Sequence, residues 1–292
     1  MVAQLTPKIS IGMPIYNGGI KLQYFIDEIL SQSFKDFELI ISDNCSSDGT
    51  DLVCQQFARR DKRIKYFRQS KNLGAIYNFT FVLEQSSAEY FMWAAADDRR
   101  SLNFLEENLN FLESNPDFVA STSPTHFNGQ PDNAISMGDK SLEENIRGER
   151  IQNFFCGWHA NARFYSLIRT DVLMNFPFKS RNYLGFDWAW IIYLASQGKL
   201  KRINLGWVEL GVGGESNSKN IFKSHEKRII HWFIPFYDLS RDASFFLKGE
   251  SLGNRISVFF SLVRLNLAAI KLRIMYFVTA TNIYKYYKRY KT

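Results

Sequence analysis

Short apolar runs alternate with helix-patterned segments along the first 120 residues, and this alternation restricts the fold more than any other feature. The apolar runs are typical of buried strands, and they lie at Ile9–Tyr16, Glu38–Ser42, Ile64–Arg68, Tyr90–Ala95 and Val119–Ser123. Between them, apolar residues recur at helical spacing over 22–30, 52–57, 75–85 and 102–112. Strands that alternate with helices predict an α/β fold whose mostly parallel sheet is covered on both faces.

The second half of the chain carries weaker patterns. Residues 124–148 are rich in Pro, Gly, Asn, Asp and Ser, which predicts a long loop. Helix and strand signals resume over 163–169 and 170–176. A clear helix pattern then covers Asp187–Gln197, and a strand-like pattern covers Lys201–Val212.

Composition excludes several classes of protein. The chain has 292 residues, of which 46% are apolar and 22% charged, so it can bury a large core as one domain or two. Only three cysteines occur, too few for a disulfide framework and spaced unlike a zinc site, which favours a reducing, cytoplasmic compartment. The N-terminal residues do not resemble a signal peptide, and no uncharged apolar run is long enough to predict a transmembrane helix.

The net charge of +7 is concentrated at the C-terminus. Eight Lys or Arg and no Asp or Glu follow residue 250, so the first 250 residues hold 28 basic and 29 acidic side chains. A uniformly basic nucleic-acid-binding protein would not have a nearly neutral body, so we expect no nucleic-acid partner. A nearly neutral body with a basic end indicates an anchoring segment.

Polar residues follow the predicted strands, at the sheet edge where ligands bind in open parallel sheets. These loops are 14–19, 43–50, 72–74 and 97–98. In the last of them, Asp97 and Asp98 stand side by side after an apolar strand. One Asp could be a helix cap, whereas two adjacent carboxylates suit Mg²⁺ or Mn²⁺ bridging a diphosphate.

Two common nucleotide-binding motifs are missing from the sequence. The first turn contains Gly12, Gly18 and Gly19, which do not form the G-x-G-x-x-G pattern of dinucleotide-binding proteins. The P-loop pattern G-x-x-x-x-G-K-[ST] does not occur either. Both hydride transfer and P-loop nucleotide hydrolysis are therefore disfavoured.

Four ordered motifs resemble those of the family-2 glycosyltransferases. They are Ile11-Gly12-Met13-Pro14-Ile15-Tyr16-Asn17, the run from Glu38 to Thr50, Asn72-Leu73-Gly74, and Asp97-Asp98. The resemblance is close over residues 8–115 and looser over 155–215. It implies a GT-A fold, a nucleotide-sugar-binding αβα sandwich, and single-displacement transfer with inversion, normally with a divalent metal.

The resemblance also implies roles for individual residues in donor binding. Pro14, Tyr16 and Asn17 would line the pocket for the base and ribose, and Asp43 would accept a hydrogen bond from the base. The turn from Asn72 to Gly74 would approach the nucleotide, and Asn44 stands where the family often has a second Asp.

Asp97 and Asp98 stand at the family's D-x-D motif. There Asp97 would hold the ribose and the metal, and Asp98 the metal. The first two places of the usual Asp-Ser-Asp-Asp are Ala95 and Ala96 here, so the metal site depends on the two remaining carboxylates.

Asp187 is the residue that the resemblance assigns as the catalytic base. It lies in Gly185-Phe186-Asp187-Trp188, where Phe186 replaces the Glu of the family's Gly-Glu-Asp segment. The alternative is that Asp187 caps the following helix. Acceptor contacts are common in the family near His159, although a structural role is equally compatible, and ordinary roles are expected for His225 and His231. Residues 213–218 are expected to form a mobile loop near the diphosphate.

Residues 216–292 are expected to form a helical, basic and aromatic extension beyond a GT-A domain of residues 1–215. Within that domain, 1–120 would bind the nucleotide-sugar and 121–215 the acceptor. One helical stripe in the extension is apolar and comprises Ile256, Phe259, Phe260, Val263, Leu267, Ile270, Ile274 and Phe277. It could pack on the domain, form a dimer interface, or lie on an anionic membrane surface.

Together these features predict transfer of a sugar from a nucleotide-diphosphate sugar, such as a UDP-sugar, to a glycan or lipid-linked acceptor on the inner face of a membrane. A degenerate, non-catalytic scaffold is the alternative that Ala95, Ala96 and Phe186 suggest. A nucleotidyltransferase is disfavoured, because Pro-Ile-Tyr-Asn stands where such an enzyme has a Gly-rich basic loop.

Overall fold

The computed structural model describes residues 6–127, 140–156, 161–177, 181–211, 225 and 228–289, with side chains as far as Phe277. In these residues the strands are β1 (Ile9–Ile15), β2 (Phe37–Asp43), β3 (Ile64–Arg68), β4 (Tyr90–Trp93), β5 (Arg99–Arg100), β6 (Phe118–Thr122), β7 (Thr125–Phe127), β8 (Leu167–Arg169), β9 (Lys199–Arg202) and β10 (Val208–Leu210).

Helices separate most of these strands along the chain. They are α1 (Leu22–Leu30), α2 (Thr50–Arg60), α3 (Ala75–Glu84), α4 (Phe104–Ser114), α5 (Arg147–Phe154), a 3₁₀ helix (Ala162–Tyr165), α6 (Thr170–Met174), α7 (Phe186–Gln197), α8 (Ile230–Phe233), α9 (Tyr237–Phe246) and α10 (Leu252–Arg289).

A seven-stranded sheet forms the centre of the fold, in the order β3-β2-β1-β4-β8-β6-β9. Strand β8 is antiparallel to both of its neighbours, and the other pairs are parallel. The predicted α/β fold with a mostly parallel sheet and a C-terminal helix is therefore confirmed. A smaller sheet, β5-β10-β7, lies beside it.

Two hydrophobic cores cover the two faces of the central sheet. Alternate residues of a strand point to opposite faces, so Ile9, Ile11 and Met13 join the core under α1, α2 and α4. Phe91 and Trp93 of β4 join the other core, under α3, α5, α7, α9 and α10. The result is an αβα sandwich, in which the loops after the parallel strands remain free to form a site.

The second half of the sandwich differs from the sequence prediction in three places. The predicted long loop 124–148 contains strand β7 near its start, and its last two residues begin α5. The strand-like segment Lys201–Val212 is divided, since β9 belongs to the central sheet and β10 to the small one. Gly206, whose φ is 68°, lies in the turn that separates them. The segment 163–169 likewise combines a 3₁₀ helix with the short strand β8.

Candidate active site

The ends of β1 and β2 bring the predicted nucleotide-binding residues together. Ile15 pairs with Asp43 in the parallel ladder, and the Asn44 amide donates to the Ile15 carbonyl at 2.9 Å. Asn17, with a φ of 53°, donates its backbone N–H to Ser46 Oγ at 2.8 Å. Tyr16 is 54% exposed at this edge, so its ring is available to a ligand.

Asp43 is fully buried at the end of β2. Its Oδ1 accepts a hydrogen bond from the Ser46 amide at 2.8 Å, and its Oδ2 accepts one from the Tyr66 hydroxyl at 3.0 Å. These contacts fix the loop after β2. A base could share the carboxylate only through a second lone pair on one oxygen, and this role stays a prediction.

The hydrogen bonds of Asn44 explain why this position has an amide side chain where the family often has Asp. Its Nδ2 donates to Asn72 Oδ1 at 3.0 Å and to the Gly74 carbonyl at 3.2 Å, while its Oδ1 accepts from the Leu73 amide at 2.8 Å. An ionised carboxylate could accept but not donate. Asn44 therefore holds the turn from Asn72 to Gly74 beside the end of β2.

The two adjacent acids after β4 have different environments. Asp97 is exposed, whereas Asp98 is only 6% exposed. Asp98 Oδ1 accepts a hydrogen bond from the Gly211 amide at 3.0 Å, and its Oδ2 has no hydrogen-bond partner among the described residues. Buried polar atoms are nearly always paired, so this oxygen is a natural contact for a ligand or cation.

Arg100 adds a buried positive charge to the same place. Its Nη2 lies 3.8 Å from Asp98 Oδ2, and the side chain is 5% exposed. Burial nevertheless raises the pKa of Asp98 to about 6, against the opposing charge of Arg100. Burial therefore outweighs the charge of Arg100, and a further cation beside Asp98 would stabilise its ionised form.

Gly211 allows the small sheet to approach these acids. A Cβ atom at this position would lie 2.2 Å from Asp97 Oδ2 and 2.4 Å from Asp97 Cγ. Any side chain would displace Asp97, so the close contact requires glycine.

Asp187 lies in the first turn of α7, where Gly185 occupies the N-cap position with a φ of 79°. Asp187 is therefore not the N-cap residue itself, although backbone hydrogen bonds from its own amide and that of Trp188 lower the pKa of its carboxyl. Its Oδ2 also accepts a hydrogen bond from Asn161 Nδ2 at 2.8 Å. Burial raises the pKa of Asp187, and the Asn161 bond opposes that rise.

Tyr165 links the acids of the two halves. Its phenol has a pKa well above the usual value, chiefly because of burial and then because of the negative charges of Asp98, Asp97 and Asp187. Such charge effects are strong only at short range. The charges of the predicted metal residues and of the predicted base therefore act on one side chain.

The histidines have different outcomes. His159 and residues 213–218 lie outside the described residues. His225 is close enough to Asp187 that its positive form would lower the pKa of that carboxyl. His231 is buried and its Nε2 lies 3.0 Å from Asp238 Oδ2, which is the ordinary structural role expected.

Sequence reasoning missed three residues of this site. Neither Arg100, Tyr165 nor Gly211 belongs to a recognisable motif, and each matters only through its neighbours in space. No trio of His, Cys, Asp or Glu side chains that could hold a metal ion occurs within the described residues. The candidate metal ligands at this edge of the sheet are therefore two carboxylates, those of Asp97 and Asp98.

A family model for glycosyl transferase family 2 matches residues 10–176, more than half of the chain. The chain belongs to this family. The match includes β1 to α6 and therefore Asp97, Asp98, Asn161 and Tyr165, but it ends before Asp187.

Relatives of this family-2 member are similar over about a third of its length. A Campylobacter jejuni GalNAc(5)-diNAcBac-PP-undecaprenol β-1,3-glucosyltransferase is 40% identical over 93 residues, 32% of this chain and 30% of that one. Glycosyltransferase GlyG of Streptococcus pneumoniae is 30% identical over 98 residues, 34% of this chain and 33% of that one. The aligned segment thus spans about a third of either relative.

Solved structures share the fold over most of the chain. S. aureus TarS 1–349 in complex with UDP-GlcNAc has a TM-score of 0.63 at 15% identity, covering 86% of this chain and 69% of that one. Mannosyltransferase PcManGT from Pyrobaculum calidifontis, in complex with GDP-Man and Mn²⁺, has a TM-score of 0.55 at 14% identity, covering 98% and 84%. The predicted GT-A fold is confirmed.

Proposed function

We propose that this chain is an inverting glycosyltransferase that moves a sugar from a UDP-sugar to a hydroxyl of a glycan or lipid-linked acceptor. The observation that carries the proposal is a group of three acids: exposed Asp97, Asp98 with an unpartnered Oδ2 among the described residues, and Asp187, whose charges all act on Tyr165. One end of this group suits a diphosphate and the other suits an acceptor hydroxyl. The TarS complex contains UDP-GlcNAc, and the C. jejuni relative is named for an undecaprenol-linked substrate.

Asp187 acts in this mechanism as the general base. Its carboxylate accepts the proton of the acceptor hydroxyl while the oxygen forms its bond to the anomeric carbon. The bond from that carbon to the diphosphate breaks in the same step, and the electron pair leaves with the diphosphate. Attack from the face opposite to the leaving group inverts the anomeric configuration.

Asp97 and Asp98 would hold a divalent cation. The unpartnered Oδ2 of Asp98 and the exposed carboxylate of Asp97 are the hard oxygen donors that Mg²⁺ or Mn²⁺ prefers. Such an ion supplies Lewis-acid neutralisation of the diphosphate charge.

The proposed reaction is tested with a panel of nucleotide sugars, each incubated with and without Mn²⁺. We expect one donor class to be consumed, with product of inverted anomeric configuration by proton NMR. Retained configuration would contradict the mechanism. Donor binding without turnover of any donor or acceptor would favour the scaffold alternative. One residue that suggested this alternative, Phe186, has a structural role instead, because it is 5% exposed and packs against Phe176 and Trp190.

We also propose contact with the cytoplasmic face of an anionic membrane through residues 252–292. Helix α10 buries Val258, Leu262 and Ala269 and exposes most of the apolar stripe. It therefore packs on the domain and still presents an apolar surface. None of the described helices combines the length and the apolar character that crossing a bilayer requires.

Charge substitution on α10 tests the membrane proposal. Arg264 and Lys271 are exposed and seven residues apart, on one helix face. Changing both to Gln should weaken binding to anionic vesicles by about 2 kcal/mol, or roughly 30-fold, at low salt. Co-sedimentation measures this loss of affinity. The difference between the variant and the unaltered chain should shrink as salt rises, because salt screens the attraction.

The matched control changes the exposed body residues Arg59 and Lys62 to Gln. This control should bind vesicles as the unaltered chain does. Equal losses in both variants, or equal binding to neutral vesicles, would contradict an anchoring role for α10. Deleting residues 252–292 is a poorer test, because it would expose the core under Val258 and Leu262.

A further inference from the structure

An apolar groove of about 410 Å³ lies between α8, α9 and the middle of α10. Pockets that take small molecules have volumes of roughly 300 to 1,000 Å³. Several lining side chains are large and solvent-exposed, namely Phe233 (69%), Phe259 (59%) and Leu267 (60%). Contiguous exposed apolar surface on a folded chain marks a contact site.

The polar groups that line the groove are bonded within the protein. Asn266 Oδ1 accepts from the Phe236 amide at 2.8 Å, and its Nδ2 donates to the Leu262 carbonyl at 2.9 Å. Ser240 and Ser244 each donate to a carbonyl one turn back, at 2.7 and 2.8 Å. Arg241, the charged residue of the lining, is paired with Asp238 at 3.3 Å and Asp242 at 3.1 Å. Apart from these groups and the Tyr237 hydroxyl, the lining offers a ligand hydrocarbon.

The groove adjoins the start of the helix that carries Asp187. Phe236 precedes α9, and its ring stacks on Trp188 with centroids 5.8 Å apart and planes 11° apart. The same Phe236 is tied through its amide to Asn266, which lines the groove. Phe236 therefore contacts both a groove residue, Asn266, and Trp188, the residue that follows the proposed base.

Charge around the groove favours an anionic occupant. Among the residues of α10 whose side chains the structure describes, Arg255, Arg264, Lys271 and Arg273 are basic and none is acidic. The acids of α9 are already paired, Asp238 with Arg228 and Asp242 with Arg181. A second copy of the chain, placed symmetrically on this face, would bring its own cations against these cations.

We propose that this groove binds the hydrocarbon chain of a lipid-linked acceptor, whose phosphate meets the cations of α10 while its sugar approaches Asp187. The acceptor role rests on the proposed transferase function. Hydrocarbon binding does not rest on it, because it can be measured without donor or turnover.

The test uses calorimetric titration of the full chain with farnesyl monophosphate below its micellar concentration. The variant changes Val263 and Leu267, which line the groove, to Asn. The control changes Phe260, which is 57% exposed on the same helix and does not line the groove, to Asn. We expect the groove variant to lose about tenfold or more in affinity and the control to stay within about twofold.

Two further probes separate the parts of the ligand. Farnesol should bind more weakly than farnesyl monophosphate, and inorganic phosphate should show no heat at the same concentrations. Equal losses in the groove variant and the Phe260 control would overturn the proposal, as would unchanged binding in the groove variant. A dimer of the unaltered chain that the groove variant abolishes would also overturn it, because the groove would then join two copies.

Asp187→Asn distinguishes failure of this proposal from failure of the proposed function. This variant should bind farnesyl monophosphate normally. If the unaltered chain binds the probe in the groove but transfers no sugar, the hydrocarbon site stands and the transferase function fails. If it transfers sugar but does not bind the probe in the groove, the transferase function stands and the hydrocarbon site fails.

Discussion

Replacing Asp187 with Asn is expected to lower turnover by about 10²-fold or more while donor affinity changes little. The amide keeps the size of the side chain but cannot take the proton of an acceptor hydroxyl. Removing this half-buried carboxylate should leave the melting temperature unchanged or higher, because burial disfavours its charged form. Steady-state kinetics and a donor titration of the same protein measure both effects.

Asp171→Asn is the matched control for this substitution. Asp171 is an exposed acid in the first turn of α6, where its Oδ1 accepts from the Val172 amide at 2.8 Å. It reports what an Asp-to-Asn change at a helix start does by itself. Turnover of Asp187→Asn within a few-fold of the unaltered chain would show that Asp187 is not the base.

The pH dependence of turnover provides an independent check on Asp187. A general base must be ionised, so kcat/KM should rise with pH through the pKa of this carboxyl. The Asn161 amide donates to the ionised form and lowers that pKa. Asn161→Ala should therefore move the acidic limb to higher pH, and a purely structural role for Asn161 would leave the limb where it was.

Replacing Asp98 with Asn is expected to abolish the dependence of donor affinity on Mn²⁺. The remaining amide oxygen can still accept from the Gly211 amide, but the negative charge that would hold the cation is gone. Calorimetric titrations of the donor with Mn²⁺ and with a chelator measure the difference. A metal-dependent affinity equal to that of the unaltered chain would contradict the assignment.

Burial of Asp98 determines how this experiment must be controlled. The change leaves Arg100, 5% exposed and 3.8 Å away, without an anion. Removing one partner of a buried charge pair destabilises a fold, so the melting temperature must be measured alongside. Glu209→Gln, an acid of β10 that pairs with His126 at 3.4 Å, is the control and should keep the Mn²⁺ dependence.

The sequence predicted the first half of the fold well because the signals there are local. Strand β3 has the predicted bounds, and β1, β2 and β4 differ from theirs by only a residue or two. Alternation of buried side chains and helical periodicity depend on neighbours within a few residues, so they are visible without the tertiary structure. The positions of the loops after these strands followed directly.

The division of Lys201–Val212 could not be predicted in the same way. Both parts have the composition of a strand. No residue within the segment indicates that β9 pairs with β6 while β10 pairs with β5 and β7. Strand pairing is a property of two segments, and these partners lie far away along the chain. The same limit concealed Gly211, which matters only because β10 places it against Asp97.

The sequence by itself determined the alternation of strands and helices, the four motifs and the identity of the acids. Only the tertiary structure decided that Asp98 is buried beside Arg100, that Asn161 donates to Asp187, and that the charges of acids from both halves act on Tyr165. The physical reason is that a motif gives only the side chains that one segment of the chain contains. Distance, burial and charge between segments depend on the path of the chain, which here returns through β8 between β4 and β6.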